Sequence, residues 1–456
     1  MTPSPPERSA TKGPLRVHPG NPRYFADTSG KAILLAGSHT WATLQEAGPV
    51  DPPDPFDWQG WLEFMVDHDH NFMRLWTWEN AKWGSWWDGD YYFTPIAWAR
   101  TGPGLARDGK PRFDLTRFDE DWFGRLRSRV IDLRERGIYT AVMLFQGWSG
   151  GDKPYTPQGP NPWHGHPFHR DNNINGIDAS SPDGEGHEWV HTLRDPAVVR
   201  LQEAYVRRVI DTVGDLDNVL YEIGNEHEGT AANHTWQYHM IDVVHEYEAT
   251  RPMQHPVLIT SAWPVPDNDV LFASDAEAVS PMHWNGRGFD HWPWDPPARY
   301  LGKVVIADTD HLWGIGGHAD WVWRTFTRGH NILYMDPYAY LHLVPGYPDG
   351  DEGPRKAMGR CAAVSRSIDL SEMVPRTDLT STGFALVAEG REYLVYHPYG
   401  DPVFVDLVGM EGPVVVEWLH PIEDRSERGA ELAGNGVVPL FPPDHGQWAV
   451  RLSHKT

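Results

Sequence analysis

The sequence has little cysteine: Cys361 is the single one in 456 residues. An intramolecular disulfide and a zinc site made of cysteines are therefore excluded. The sequence also lacks an apolar run of roughly 18 residues, the length that a membrane-spanning helix needs. We therefore expect no membrane partner.

Positive charge is scarce as well, because 39 lysines and arginines stand against 63 aspartates and glutamates, which leaves a net charge of −24. An acidic surface repels phosphate backbones, so we expect no nucleic-acid partner. The N-terminus carries no apolar segment of the kind found in signal peptides. This predicts a cytoplasmic location, or secretion if a signal peptide has been removed. The composition does not indicate an oligomeric state.

Several motifs that bind nucleotides or metal ions are missing. The sequence contains no GxGxxG at a strand-to-helix junction and no GxxxxGK[ST], which are the fingerprints of nucleotide binding. It also lacks a set of cysteine ligands for zinc. We therefore expect neither a cofactor nor a resident metal ion.

Aromatic residues are abundant, with 23 Trp, 17 Tyr and 16 Phe, and there are 24 His. Tryptophan usually lies in a core or on a contact surface. We expect most of these residues to be core. Those that cluster at the ends of predicted strands are candidates for stacking on sugar rings.

The chain divides into three parts. Residues 1–15 are rich in proline and serine and are predicted to be disordered. Residues 16–370 contain eight short apolar runs that read as strands: 32–37, 71–76, 139–145, 218–226, 257–261, 278–283, 303–308 and 331–336. Helical periodicity covers 58–67, 121–136, 196–213, 234–248, 319–328 and 355–368, and long loops follow the second and third runs. Alternating strands and helices predict an α/β fold with a parallel sheet, here a (β/α)₈ TIM barrel.

Residues 371–456 have a different sequence pattern. Short β-rich runs around 384–387, 393–396, 403–407, 414–418 and 448–452 are separated by Gly, Pro and Asp turns. This pattern, without helical periodicity, predicts a small antiparallel β-sandwich after the barrel.

The strongest local feature is Asn225-Glu226 at the end of the fourth predicted strand. TIM barrels place their active sites at the carboxyl ends of the strands. An acid there is well placed for proton transfer, and the asparagine before it can donate a hydrogen bond to a substrate hydroxyl. A solvated loop acid is the alternative interpretation.

A second acidic cluster, Asp308-Thr309-Asp310-His311, ends the seventh predicted strand. Side chains alternate along a strand, so Ile306, Asp308 and Asp310 would share one face if the strand stays regular. Acids from the fourth and seventh strands would then converge, as glycoside hydrolysis requires. A carboxyl separation of about 5–5.5 Å leads to retention and roughly 6.5–9.5 Å to inversion. The alternative is that one aspartate orders a loop or caps a turn.

Further candidates for substrate binding lie at the other strand ends. Arg74 in the second strand could hold an acid ionised, or form a structural ion pair. The remaining candidates are aromatic, imidazole or acidic side chains that would line one rim: His39, Trp41, Trp76, Trp78, Glu79, Trp148, His283, Trp284, His311, Asp336 and Tyr338. Each alone is more often a packing residue, but such a rim together suits a polyhydroxylated ligand.

With these motifs, the chain resembles clan A glycoside hydrolases, which are retaining (β/α)₈ barrels. It is most similar to apiosidase-like, cellulase-like barrels, whose opening segment is like residues 21–31 running into Gly37-Ser-His-Thr-Trp41. Their C-terminal β-sandwich is labelled a collagen-binding domain, and 393–396, 405–407, 417–421 and 441–444 look like that domain.

The resemblance implies roles for three residues. Glu226 would be the acid/base, Arg74 its support from strand two, and Asp310 the nucleophile. The clan has a glutamate on strand seven where this chain has Asp308-Thr-Asp310. The acid, glycine, acid pattern of apiosidase-like relatives favours Asp310 over Asp308.

The resulting hypothesis is a glycoside hydrolase that acts by double displacement on a carbohydrate, with exo-action on short glycans. Two alternatives stay open. One is a carbohydrate-binding barrel without catalysis. The other is a metal-dependent hydrolase or lyase that uses Asp308, Asp310 and His311.

Overall fold

The computed structural model describes residues 10–84, 90–148, 161–182, 186–187, 189–282, 293–338 and 352–454. Within these residues, eight parallel strands form one sheet in the spatial order 1-8-7-6-5-4-3-2. These barrel strands are Ala36–His39, Phe72–Leu75, Tyr139–Gln146, Val219–Asn225, Val257–Thr260, Ala278–Ser280, Val304–Asp308 and Asn331–Met335. The predicted α/β barrel is therefore confirmed.

Helices follow the strands, and the longer ones cover the outside of the sheet. Their bounds are Trp58–Asp67, Glu120–Glu135, Pro196–Val213, Ala231–Glu248, Asn268–Ala273, Thr309–Leu312, Ala319–Thr327 and Glu352–Ser367. Side chains of Asp119, Asp195 and Thr230 accept hydrogen bonds from the first turns of the helices that they precede. Such caps are the local reason why the helices begin at these residues.

Asn71 joins the first and second barrel strands. Its backbone N–H donates to the carbonyl of Ala36 (3.0 Å), and its Oδ1 accepts from the N–H of Ala36 (2.8 Å). A Cβ on Gly37 would lie 1.9 Å from the carbonyl oxygen of Phe72. A glycine at position 37 thus allows the two strands to approach closely enough to close the barrel.

Gly37→Ala is therefore expected to destabilise the protein by about 1–3 kcal/mol or more, because the added methyl group meets backbone that cannot move aside alone. Gly124→Ala is a matched control, since position 124 is helical and a methyl group there would point into open space. That control should be neutral or stabilising by up to about 1 kcal/mol. Chemical denaturation of both variants measures the difference, and equal midpoints would contradict this account.

The first predicted strand, 32–37, is wrong in its bounds. Ala32–Ile33 pairs antiparallel with Phe25–Ala26, and the barrel strand begins only at Ala36. Between them, two asparagine side chains take the backbone groups: Asn71 Nδ2 donates to Leu34 O (2.9 Å) and Asn331 Oδ1 accepts from Leu35 N (2.9 Å). These side-chain bonds replace ladder bonds and break the strand in two.

The N-terminal segment closes the lower end of the barrel. Strands Arg16–Val17, Phe25–Ala26 and Ala32–Ile33 form a small antiparallel sheet. Leu15 is buried in the same cluster as Leu220 and Leu258 of the barrel interior. Packing therefore begins before residue 16, inside the segment predicted to be disordered.

The long connection after the second barrel strand contains strands where the sequence pattern predicts only a loop. These are Lys82–Gly84, Asp90–Thr94, Trp98–Leu105 and Pro111–Phe118, all in antiparallel pairs, with Glu46–Gly48 beside Asp90–Thr94. Only alternate residues such as Phe113 and Leu115 are buried. The frequent Gly and Pro residues hide this alternation in the sequence.

The C-terminal region forms the predicted β-sandwich. One sheet contains Val374–Pro375, Ala385–Ala388, Glu392–His397, Pro413–Leu419, Ser426–Arg428, Leu432–Ala433 and Trp448–His454, and Val403–Asp406 pairs with Val437–Leu440 in a second. All pairs are antiparallel. Among the described helices, none has the length and apolar character to span a membrane.

The larger sheet of the sandwich is covered on both faces. Val387 packs in the core between the two sheets, whereas its neighbour Leu386 belongs to the core of the barrel. Trp323 of the barrel stacks on Tyr396 of the sandwich with ring centroids 5.8 Å apart, and its Nε1 donates to the carbonyl of Pro421 (2.8 Å). The barrel core therefore extends onto one face of this sheet and includes residues of both units.

Candidate active site

A cavity of about 320 Å³ opens at the carboxyl ends of the barrel strands. Asn225, Glu226, Asp310 and His311 contribute its polar groups. Among described residues, the rest of its lining is mainly apolar: Trp41, Trp76, Trp148, Trp263, Met282, Leu312, Trp313, Gly314, Ile315 and Met335. Flat aromatic walls around a few polar groups are typical of a site for a ligand with both apolar faces and hydroxyls.

Glu226 follows the last residue of the fourth barrel strand. Its backbone φ is +47°, in the left-handed region that a residue with a side chain rarely adopts. The strain is of the order of 1–3 kcal/mol, and such strain concentrates at functional sites. The ring of His227 lies so close to Gly147 and Gly224 that a Cβ on either would be within 2.6 Å of it. This packing fixes the turn that carries Glu226 into the cavity.

The seventh barrel strand ends at Asp308, and a helical turn begins at Thr309. The strand does not continue regularly to Asp310, so the two aspartates do not share a strand face, and the alternative that one of them caps a turn applies. Asp308 Oδ1 accepts a hydrogen bond from the N–H of Asp310 (3.0 Å), so Asp308 caps the turn. Asp308 is fully buried below the cavity, whereas Asp310 lines it with 9% of its side chain exposed.

Arg74 lies beneath the cavity and is completely buried. Its Nη2 is 2.9 Å from Asp308 Oδ2, and its Nη1 is 3.2 Å from Asp310 Oδ2. Its Nε donates to Glu222 Oε2 at 2.9 Å, and Nη1 also reaches Asn225 Oδ1 at 3.4 Å. The support that Arg74 supplies therefore goes to the acids of strand seven and to Glu222.

One guanidinium thus faces three buried carboxyl groups, and their pKa values differ. Burial alone would raise the pKa of Asp308, but His39 and Arg74 outweigh it and hold that pKa well below its usual value. Burial and the neighbouring Asp308 raise the pKa of Asp310. Burial raises the pKa of Glu222 to about 7. Asp308 is therefore the permanent anion of the cluster.

Two histidines complete the support of the cavity floor. His39 Nε2 is 3.1 Å from Asp308 Oδ1, and the His39 ring stacks on Trp76 with centroids 5.7 Å apart. Burial lowers the pKa of His311 to about 3, so this imidazole is neutral. It accepts from Ser280 Oγ at Nδ1 (2.7 Å) and donates to Asn225 Oδ1 from Nε2 (2.9 Å). Asn225 therefore presents its amide nitrogen as a donor to a ligand.

Seven of the predicted site residues line the cavity together: Trp41, Trp76, Trp148, Asn225, Glu226, Asp310 and His311. Arg74, Asp308 and His39 lie directly beneath them. His283 and Trp284 lie outside the described residues.

Four predicted residues take other positions. Trp78 is buried and supports Trp41 through a hydrogen bond from its Nε1 to the carbonyl of that residue (2.9 Å). Glu79 accepts from the N–H of Gln146 (2.7 Å), and Asp336 accepts from Nε and Nη2 of Arg355. Tyr338 packs on Trp61 and Phe64. These four residues hold the loops around the cavity in place.

Besides the aliphatic lining residues, the site contains Trp263, Trp313 and Glu222, which are not among the residues predicted from the sequence. Trp263 follows the fifth barrel strand and Trp313 follows the helical turn, so the criterion used for the other rim tryptophans would have found them. Glu222 is an acid inside an apolar strand, which is the feature that identified Arg74. Its contact with Arg74 is tertiary, so the sequence alone does not assign it to the site.

Ligand atoms of Asp308, Asp310 and His311 lie within 4.8 Å of one another, which is compatible with a metal ion. The Arg74 guanidinium, however, contacts both aspartates. A cation already balances the charge for which a metal ion would compete. The donor set therefore fits a metal ion poorly.

A scan of protein families finds no match for the chain, and a search of curated proteins finds none either. Solved structures do match. One is titled "Glycoside hydrolase" (13% identity, TM-score 0.63), and the match covers 98% of this chain and 99% of that one. Another is a glycoside hydrolase family 5 structure from Bacteroides vulgatus (12% identity, TM-score 0.62), with 98% and 95% covered. At such identities, the likeness establishes the fold across both barrel and sandwich.

Proposed function

We propose that the protein is a glycoside hydrolase in which Glu226 and Asp310 perform the chemistry. The observation that carries this proposal is that both carboxyl groups, from the fourth and the seventh barrel strand, line one cavity walled by tryptophans. Paired carboxyl groups of this kind are what hydrolysis of a glycosidic bond requires.

In the proposed double displacement, Glu226 donates its proton to the glycosidic oxygen while Asp310 attacks the anomeric carbon. The bond to the leaving group breaks, and a covalent glycosyl ester forms on Asp310. Glu226, now a carboxylate, then takes a proton from water as the water attacks the same carbon. The ester bond breaks, and both acids return to their first states.

Burial and Asp308 raise the pKa of Asp310, and Arg74 is the group beside it that supports a role as nucleophile. Arg74 opposes the effects of burial and of Asp308, and thereby favours the ionised form that attack requires. An aspartate side chain is shorter than the glutamate of clan A enzymes. The helical turn after Asp308 carries Asp310 beyond the end of the strand. This displacement offers a physical compensation for the shorter side chain.

Other observations support finer parts of the proposal. The structural neighbours are titled glycoside hydrolases. The retaining outcome is proposed from the resemblance of the sequence motifs to clan A and its apiosidase-like members. A cavity of about 320 Å³ is at the small end of ligand pockets. It suits exo-action on a carbohydrate chain end, which product analysis would test.

Sugar release from a panel of oligosaccharides and aryl glycosides is the direct test. Release by the wild type would establish the hydrolase and identify its sugar. Binding of a sugar without release would favour the carbohydrate-binding barrel instead, and would overturn the catalytic roles of Glu226 and Asp310.

The metal-dependent alternative makes an opposite prediction about chelation. Because Arg74 contacts both aspartates, we expect treatment with EDTA to leave the rate of sugar release unchanged. Rates before and after dialysis against the chelator, and again after addition of divalent ions, measure this. Loss of activity that a metal ion restores would move the chemistry to the metal.

A further inference from the structure

Glu222 is a fully buried acid in the middle of the fourth barrel strand. It does not line the described part of the cavity, and the proposed reaction gives it no step. Burying a carboxyl group disfavours folding unless it is paired. Its Oε2 is 2.9 Å from Nε of Arg74, while no hydrogen-bond partner of Oε1 is found among the described residues.

The three nitrogen atoms of Arg74 have separate partners. Glu222 is at Nε, Asp308 is at Nη2, and Asp310 is at Nη1. A guanidinium is planar and rigid, so an acceptor at Nε fixes the directions of the two outer nitrogens. Without that acceptor, the group could rotate in its plane and move away from Asp310.

We propose that Glu222 is a positioning residue of the active site, which holds Arg74 so that its outer nitrogens face Asp308 and Asp310. The inference rests on the proposed function, because Asp310 is the nucleophile of that proposal. Glu222 acts through Arg74 and does not touch the substrate.

Glu222 also regulates the charge that Arg74 offers to Asp310. The groups facing it are Arg74 from the second strand and Asp308 and Asp310 after the seventh, with His39 behind Asp308. Burial raises the pKa of Glu222 to about 7. Below that pH it is neutral, and the charge of Arg74 is shared by the two aspartates. Above it, a third negative charge competes for the same guanidinium.

Two variants distinguish the effect of Glu222 on the position of Arg74 from the effect of its charge. Glu222→Gln keeps an oxygen acceptor for Nε of Arg74 but removes the titration. Glu222→Met has a similar size and no acceptor. We expect kcat of the methionine variant to fall roughly 100-fold with KM little changed, because misplacement of a catalytic group has effects of this size. The glutamine variant should recover most of kcat and lose a wild-type inflection in kcat near pH 7.

A stability measurement tests the titration without relying on activity. A buried acid whose pKa is raised in the folded state stabilises the fold at pH values below its pKa in the unfolded chain, about 4.5. This contribution is lost as pH rises through the pKa in the folded state, about 7. The thermal midpoint of Glu222→Gln relative to wild type should therefore increase between pH 4.5 and 7. Glu248→Gln is the matched control, because Glu248 is a buried acid paired with His255 away from the cavity.

The outcomes are distinct. Full kcat in a folded Glu222→Met variant would overturn the inference alone, as would equal pH profiles for wild type and Glu222→Gln. A wild type that releases no sugar from any substrate, although its pH-dependent stability differs from that of Glu222→Gln as expected, would overturn the proposed function instead.

Discussion

Replacing Asp310 by asparagine is expected to lower kcat on the order of 10⁶-fold, the scale seen when an enzyme loses its covalent nucleophile. An amide nitrogen or oxygen attacks an anomeric carbon poorly, so the glycosyl ester cannot form. The protein should remain folded, because the asparagine oxygen can still accept from Nη1 of Arg74, which is 3.2 Å from Asp310 Oδ2 in the wild type. Steady-state rates on the best substrate of the panel measure the loss.

A trapping experiment distinguishes Asp310 from Asp308. A fluorinated glycoside that forms the ester quickly and hydrolyses slowly should label Asp310, and mass spectrometry of the digested protein would locate the label. Asp308 is completely buried and engaged by His39, Arg74 and the following turn, so it should stay unlabelled. Label on Asp308, or an inverted product without label, would contradict the assignment.

Replacing Glu226 by glutamine is expected to lower kcat on unactivated glycosides by roughly 10²–10⁴-fold, the usual contribution of a general acid or base. Glutamine has nearly the same shape but cannot donate a proton to the leaving oxygen. An aryl glycoside with an acidic phenol as leaving group needs no such proton. Its first step should therefore be much less affected, and a burst of phenol should appear before the slow hydrolysis of the ester.

Glu228→Gln is the control for this variant. Glu228 lies two residues further along the same turn, and its Oε1 is 3.0 Å from Nε2 of His187. It is partly exposed and does not line the described part of the cavity. We expect its replacement to leave both steps within a few-fold of the wild type. Equal losses in the two glutamine variants would show that the turn, and not the acid Glu226, is what the reaction needs.

The barrel strands could be predicted because they are buried on both faces. The fourth run is predicted at 218–226 and observed at Val219–Asn225, since a run of apolar residues is typical of a parallel strand. The carboxyl end of that strand then places Glu226 correctly. By contrast, antiparallel strands such as Pro111–Phe118 have one exposed face and are interrupted by charged residues. The alternation of apolar and polar residues in these strands is therefore too weak to predict them.

Whether Asp308 and Asp310 share a face depends on the residue at which the strand ends. The alternation of side chains along a strand does not indicate that residue. An aspartate that begins Asp-Thr-Asp-His has the character of a helix cap, and the cap proves stronger than continuation of the strand. The contacts of Arg74 with three acids are tertiary, because its partners lie on strands that are far apart in the sequence. No spacing rule would have identified Glu222 as one of them.

The shared core of barrel and sandwich determines what kind of appendage the C-terminal region can be. A module on a flexible linker searches the volume around its enzyme and raises the local concentration of whatever it holds. Here Leu386 lies in the core of the barrel, and Trp323 is clamped by Tyr396 and Pro421. Anything bound by the sandwich would be kept at one distance and one angle from the cavity. The barrel and the sandwich therefore hold a fixed geometry, unlike two modules joined by a flexible linker.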